Sequence, residues 1–160
     1  MKNVTPIMLA ATLTLSSFTT ARLNDNLRPA EVTARNLVTA MRQSSEAKFV
    51  ALFPTLAELH REMDANKAFY GSNLEAAKED FSKTYSSELI PAVRRAYAGL
   101  IEETEKRRID WSDVNVEAVE ITGAGFVIAF GHHGQRFELL VERSLMIEGR
   151  WKISQYLKFV

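Results

Sequence analysis

The chain has 160 residues, 46% hydrophobic and 25% charged, a balance that suits one folded domain and excludes a disordered segment. Lys and Arg number 20, as do Asp and Glu, and no basic block stands out, which argues against nucleic-acid binding and polybasic attachment to a membrane surface. With no cysteine, disulfides, zinc–thiolate sites and a thiol nucleophile are excluded.

Lys2 precedes an uncharged apolar run, PIMLAATLTL at 6–15, and SSFTTA then leads to Ala21. A short positive start, a short apolar core and small residues before a polar stretch read as a signal peptide over 1–21, cleaved near Ala21. The expectation is a periplasmic or secreted protein whose remaining residues, 22–160, form a single domain. No later stretch reaches the roughly 18 apolar residues needed to cross a bilayer, so no membrane span is expected in the mature chain.

Pro29 is suited to open a helix, and Val32, Leu37, Val38 and Met41 give a stripe over 29–43. Ser44 or Ser45 can cap a short turn carrying Phe49, Val50, Leu52 and Phe53. After Pro54, Leu56, Leu59 and Met63 mark a helix ending near Asn66. From Leu74 to Arg108 one apolar stripe runs through Phe81, Tyr85, Leu89, Val93 and Leu100. A straight helix of that span would be about 52 Å long, so a kink or break is expected between Ser86 and Pro91, where an amide hydrogen is lost.

Past Trp111 the apolar period becomes two. Val114 and Val116 are out of phase with Val119 and Ile121, which implies a bulge near Ala118. Phe126, Ile128 and Phe130 follow, then a long third strand from Phe137 through Val141 to Leu145 and Ile147, and a last strand carrying Trp151, Ile153, Leu157 and Phe159. Keeping one apolar face sets Ile128 opposite Phe137 around a His132-His133 turn. A three-residue loop, Ile147 to Gly149, sets Leu145 opposite Trp151 and Leu139 opposite Leu157. The expected class is α+β, with N-terminal helices packed on a curved C-terminal antiparallel sheet of about four strands.

From Ile109-Asp110-Trp111 onward the chain resembles the nuclear transport factor 2-like superfamily of cone-shaped α+β domains, in particular uncharacterised exported bacterial members. The likeness lies in GFVIAFGHHGQRFELLVERSLMIEGRWKISQYL: a hydrophobic strand, a Gly-bounded turn, a basic–aromatic–Glu strand, then a Gly turn and Trp-Lys. It covers about the last third of the chain. The helical half matches in order, without the short strand many members carry between the second and third helices. The superfamily spans isomerases, dehydratases, cyclases and non-catalytic binding domains, so the resemblance does not choose a function.

Among candidate site residues, His60 and Asp64 share a helix face, where they read either as surface decoration or as the proton-moving groups that this superfamily's enzymes place in a pocket. Arg143 and Gln155 fall on the apolar parity of their strands as diagonal neighbours, which reads as a stretch beyond the helical cover, as Arg143 paired to a helix Glu, or as a cavity wall where Arg143 could greet an anion. Tyr70, Tyr85, Tyr97 and Trp111 read as core aromatics or as cavity lining. His132 and His133 read as a solvated turn rather than a metal site. No Gly-rich phosphate loop, HExxH or GxSxG is present, and neither metal nor cofactor is expected. The leading reading is an exported non-catalytic domain that binds a small ligand or a partner chain, with a homodimer through its sheet as one form. The alternative is an isomerase- or dehydratase-type enzyme with His60 or Asp64 as base and Tyr85 or Tyr97 as hydrogen-bond donor; a third is an envelope module with a filled interior.

Overall fold

The switch of apolar period divides the chain, with helices before Trp111 and strands after Val114. The computed structural model describes residues 23–154 and 157–160, with side chains from Arg28 onward. The expected signal peptide and Gln155 lie outside the described residues. The helices are α1 (Leu23–Arg42), α2 (Glu46–Val50), α3 (Leu56–Ala65), α4 (Lys67–Tyr70), α5 (Leu74–Thr84) and α6 (Ile90–Lys106). The strands are β1 (Asn115–Thr122), β2 (Gly125–His132), β3 (Gln135–Val141), β4 (Ser144–Ile147), β5 (Arg150–Ile153) and β6 (Leu157–Phe159). The fold is α+β: a four-stranded antiparallel sheet in the order β1-β2-β3-β6, with β4 and β5 as a separate hairpin.

α1 begins six residues before Pro29 and carries it internally, so the proline does not open the helix. A mid-helix proline forfeits one backbone bond but leaves the turns before it helical. The buried face is Ala30, Ala34, Leu37, Val38 and Met41, while Val32, expected in that stripe, is 54% exposed. The long helix does not break at Pro91. Residues 74–106 are helical throughout, and Tyr85–Leu89 form one wide turn in which the Ile90 N–H bonds the Tyr85 carbonyl five residues back. Widening the turn just before Pro91 absorbs the missing donor without a reversal of direction.

Both hairpin registers differ from expectation, for one reason. The turns are residue–Gly pairs with both φ positive, His133-Gly134 (49° and 76°) and Glu148-Gly149 (49° and 74°). That is the two-residue geometry whose twist matches the flanking strands. Ile128 therefore pairs with Leu139 and Phe126 with Val141, two residues from the expected alignment. In the second hairpin Met146 faces Trp151 and Ile147 faces Arg150. The mixing of faces this entails is relieved by a break in both long strands. Two residues separate Val141 from Ser144 and three separate Ile153 from Leu157, so the register shifts by one between the hairpin and the sheet, where Val141 pairs with Leu157 and Leu139 with Phe159. The β1 bulge falls between Val116 and Ala118, where the change of parity places it.

The inner face of the sheet carries three cross-strand rows: Ile121, Phe126, Val141 and Leu157; Val119, Ile128, Leu139 and Phe159; Val116, Phe130 and Phe137. With α1, α2 and α6 these rows form the core, in which Phe49, Phe126, Phe130, Leu37 and Leu139 are at most 1% exposed.

Candidate functional site

α1 places Arg28 and Pro29, Val32 and Thr33, and Asn36 on one side, because residues four apart stack along a helix. Opposite them the tight Glu148-Gly149 turn delivers Arg150, Trp151 and Lys152. The two walls are joined below. Thr33 Oγ1 lies 2.8 Å from the Trp151 carbonyl oxygen, the Ile153 N–H donates to the Leu52 carbonyl (2.9 Å), and Lys152 Nζ donates to the Ala51 carbonyl (3.1 Å). Between these walls opens a cleft of ≈ 330 Å³, with Ala51 and Leu52 also in its lining.

Its lining includes three cations and no carboxylate. Lys152 is already neutralised by Glu58 at 3.2 Å, with both side chains largely covered (12% and 13% exposed). Arg28 and Arg150 are exposed and have no ion pair among the described residues. The apolar part is Pro29, Val32, Leu52 and Trp151, of which Leu52 and Trp151 are buried. The cleft therefore joins an apolar part to two guanidiniums in no ion pair among the described residues, which suits an anionic group on an apolar body.

Glu58 fastens the hairpin to α3. Its partial burial pushes the carboxyl upward, but the Thr55 backbone N–H, the Lys152 ammonium and the Thr55 hydroxyl together outweigh burial and hold it below its ordinary value of 4.5. It also closes the capping box with Thr55. A lowered folded-state value means its stabilisation is complete above the ordinary value and is lost as pH falls through the folded-state value. Glu58→Gln is expected to cost about 1–2 kcal/mol at neutral pH and progressively less in acid, read by urea denaturation at each pH. A cost that does not shrink in acid would contradict this role.

The expected site residues do not converge on this cleft. His60 is half-buried with Nε2 3.1 Å from Ser82 Oγ, and Asp64 pairs with Lys78, so both hold α3 against α5. Tyr85 Oη donates to the Pro54 carbonyl (3.1 Å), and burial pushes the phenol up. Tyr97 packs on Phe49, their ring centres 5.2 Å apart, and burial likewise raises its phenol. Tyr70 stacks edge-on against Phe69. Trp111 is buried against Phe130 at 5.4 Å, its indole N–H without an acceptor among the described residues.

Arg143, expected to point inward, is exposed at the break between β3 and β4, where the change of register takes it off the apolar face. His132 is also displaced from expectation. Because the turn is His133-Gly134, His132 ends β2 on the buried parity, is 6% exposed, and its Nε2 accepts from the Asp110 N–H at 3.0 Å. Arg42 donates to the carbonyls of Trp111 (3.3 Å) and Val114 (2.9 Å), so His132 and Arg42 together pin the segment that enters β1. His133 stays exposed, 3.5 Å from Asp113. Among the described residues no group of three or more His, Asp or Glu could hold a metal ion. No helix among them is long and apolar enough to cross a membrane.

Sequence reasoning missed the cleft because its walls, 28–36 and 149–152, are joined only by tertiary packing. The one local signal was Val32, out of phase with the Ala30, Ala34, Leu37 and Met41 stripe. No family model, curated protein or solved structure matches the chain.

Proposed function

We propose that this chain is an exported, non-catalytic domain of nuclear transport factor 2-like type that binds a small ligand in the cleft between α1 and the β4–β5 hairpin. The observation that carries the reading is that cleft: ≈ 330 Å³, partly apolar in its lining, with Arg28 and Arg150 in no ion pair among the described residues. Its volume falls at the lower end of small-molecule sites. Export rests on the pattern of residues 1–21, and the superfamily on the closing strands from Gly125 to Leu157. The enzyme alternative draws less support, since His60 is bonded to Ser82 and Asp64 is bound to Lys78, pairings that serve helix packing.

Native mass spectrometry of the full chain purified from its own host tests the reading. The expected spectrum carries a small non-covalent mass that is lost on denaturation. Protein that is folded and free of added mass, whatever the purification, would overturn it. The same spectrum counts subunits. A dimer through the sheet would use the outer face, where Val127 and Leu140 lie half-buried among Glu120, Glu138 and Lys158.

A further inference from the structure

Resting on that reading, we infer that the cleft takes an amphiphilic monoanion: a carboxylate or similar head held by Arg28 and Arg150, on a short apolar chain lying over Leu52 and Trp151. Three observations lead there.

The first is charge. The chain is formally neutral, yet the cleft lining holds three cations and no acid. Among the other described arginines, Arg61 pairs with Glu148 at 2.9 Å, Arg94 with Glu46 at 3.1 Å and Arg136 with Glu138 at 2.9 Å, while Arg35, Arg95, Arg108 and Arg143 are exposed without an ion pair; what distinguishes Arg28 and Arg150 is that they share one cleft lining that holds no acid. Arg28 and Arg150 have no ion pair among the described residues, and a guanidinium offers a fork of donors suited to a carboxylate.

The second is the apolar surface. Val32 is 54% exposed, one of four large hydrophobics exposed among the described residues, and it stands in the cleft lining next to Pro29. A bare anion such as phosphate would gain nothing from Val32, Leu52 or Trp151, whereas each methylene covered there adds to affinity by leaving water.

The third is size. A volume of ≈ 330 Å³ lies at the lower end of small-molecule sites, which suits a short apolar chain rather than a bulky ligand. Decanoate is the probe of that class, with a carboxylate for the arginines and an apolar chain for Val32, Leu52 and Trp151. Lys152, tied to Glu58 and Ala51, fixes the wall rather than competing for the head.

The experiment uses the full chain labelled at its two tryptophan indoles, of which Trp151 lines the cleft and Trp111 lies in the core against Phe130. Decanoate, 1-decanol and inorganic phosphate are titrated separately, each below its aggregation limit, and the indole resonances are followed by NMR. Decanoate is expected to bind saturably and move the Trp151 signal but not that of Trp111. Decanol and phosphate are each expected to bind at least tenfold more weakly. The double variant R28E/R150E is expected to lose at least tenfold in decanoate affinity with an unchanged melting temperature, both side chains being exposed, and Arg150→Lys to lose less.

Equal binding of decanol, or an unaltered double variant, would overturn the anionic head while leaving a ligand in the cleft. Phosphate binding as tightly as decanoate would overturn the apolar body. Decanoate moving Trp111 alone would overturn the site. No binding by any probe would overturn the inference, and the native mass spectrum would still decide whether the protein carries a ligand at all.

Discussion

Replacing Phe130 with alanine is expected to lower stability by about 3–5 kcal/mol, the range for removing a buried ring that its surroundings cannot collapse around. Phe130 is 1% exposed at the centre of β2 and meets three other rings, with centre distances of 5.4 Å to Trp111, 5.8 Å to Phe137 and 6.1 Å to Phe159. These come from the segment entering β1, from β3 and from β6, so one truncation opens a void bordered by three chain segments. Collapse is hindered because Trp111 is fixed through Arg42 and the β2–β3 ladder holds the backbone. Urea denaturation reads the loss as a lower midpoint at an unchanged slope. Phe69→Ala, at a residue 61% exposed, is the matched control and is expected to stay within about 0.5 kcal/mol. A loss below about 1 kcal/mol at Phe130 would mean the three rows of the sheet do not form one core.

Gly125→Ala is expected to cost about 3 kcal/mol or more, an overpacking penalty beyond the ordinary range because the obstructing atoms are backbone. A Cβ there would stand 1.9 Å from the Val141 carbonyl oxygen and 2.8 Å from the carbonyl carbon and oxygen of Glu142. Its φ is not in the left-handed region, so the requirement is for space alone. The close approach lies where β3 turns into β4, and the Ser144 N–H bonds the Ala124 carbonyl at 2.9 Å, so the strands cannot part without losing that contact. The register shift that separates hairpin from sheet thus depends on a residue without a side chain at 125. Thermal melting of Gly125→Ala beside Gly99→Ala, where nothing lies within 4 Å, checks it. Equal melting temperatures would contradict the crossing.

Much of this fold is legible in the sequence because apolar period is a local property. The stripes Leu37, Val38 and Met41, then Phe126, Ile128 and Phe130, state helix and strand without reference to partners. The bulge in β1 follows from the same count, since Val116 and Val119 change parity. What escaped is what two distant segments decide together. Arg143 on the apolar parity of a long strand reads as inward only if the strand is unbroken; the break at 142–143 and the crossing over Gly125 take it to the surface. His132 beside His133 reads as a turn until the His133-Gly134 geometry makes it the last buried residue of β2. Pro91 marks the place of the irregularity, expected as a kink or break over 86–91, but its form, a widened turn over Tyr85–Leu89 within a continuous helix, leaves no mark in composition. The cleft brings together residues more than a hundred positions apart, and no spacing rule reaches that far.

The claim that the seam between α1 and the β4–β5 hairpin holds a ligand is tested most directly at Val32. The chain has no cysteine, so Val32→Cys introduces a single thiol in the cleft lining, and Phe69→Cys supplies a comparably exposed thiol outside it. The rate of maleimide labelling is measured for each with and without decanoate. The account predicts that decanoate slows labelling at position 32 several-fold in a saturable manner and leaves position 69 unchanged; labelling at position 32 that proceeds at one rate in both conditions would contradict it.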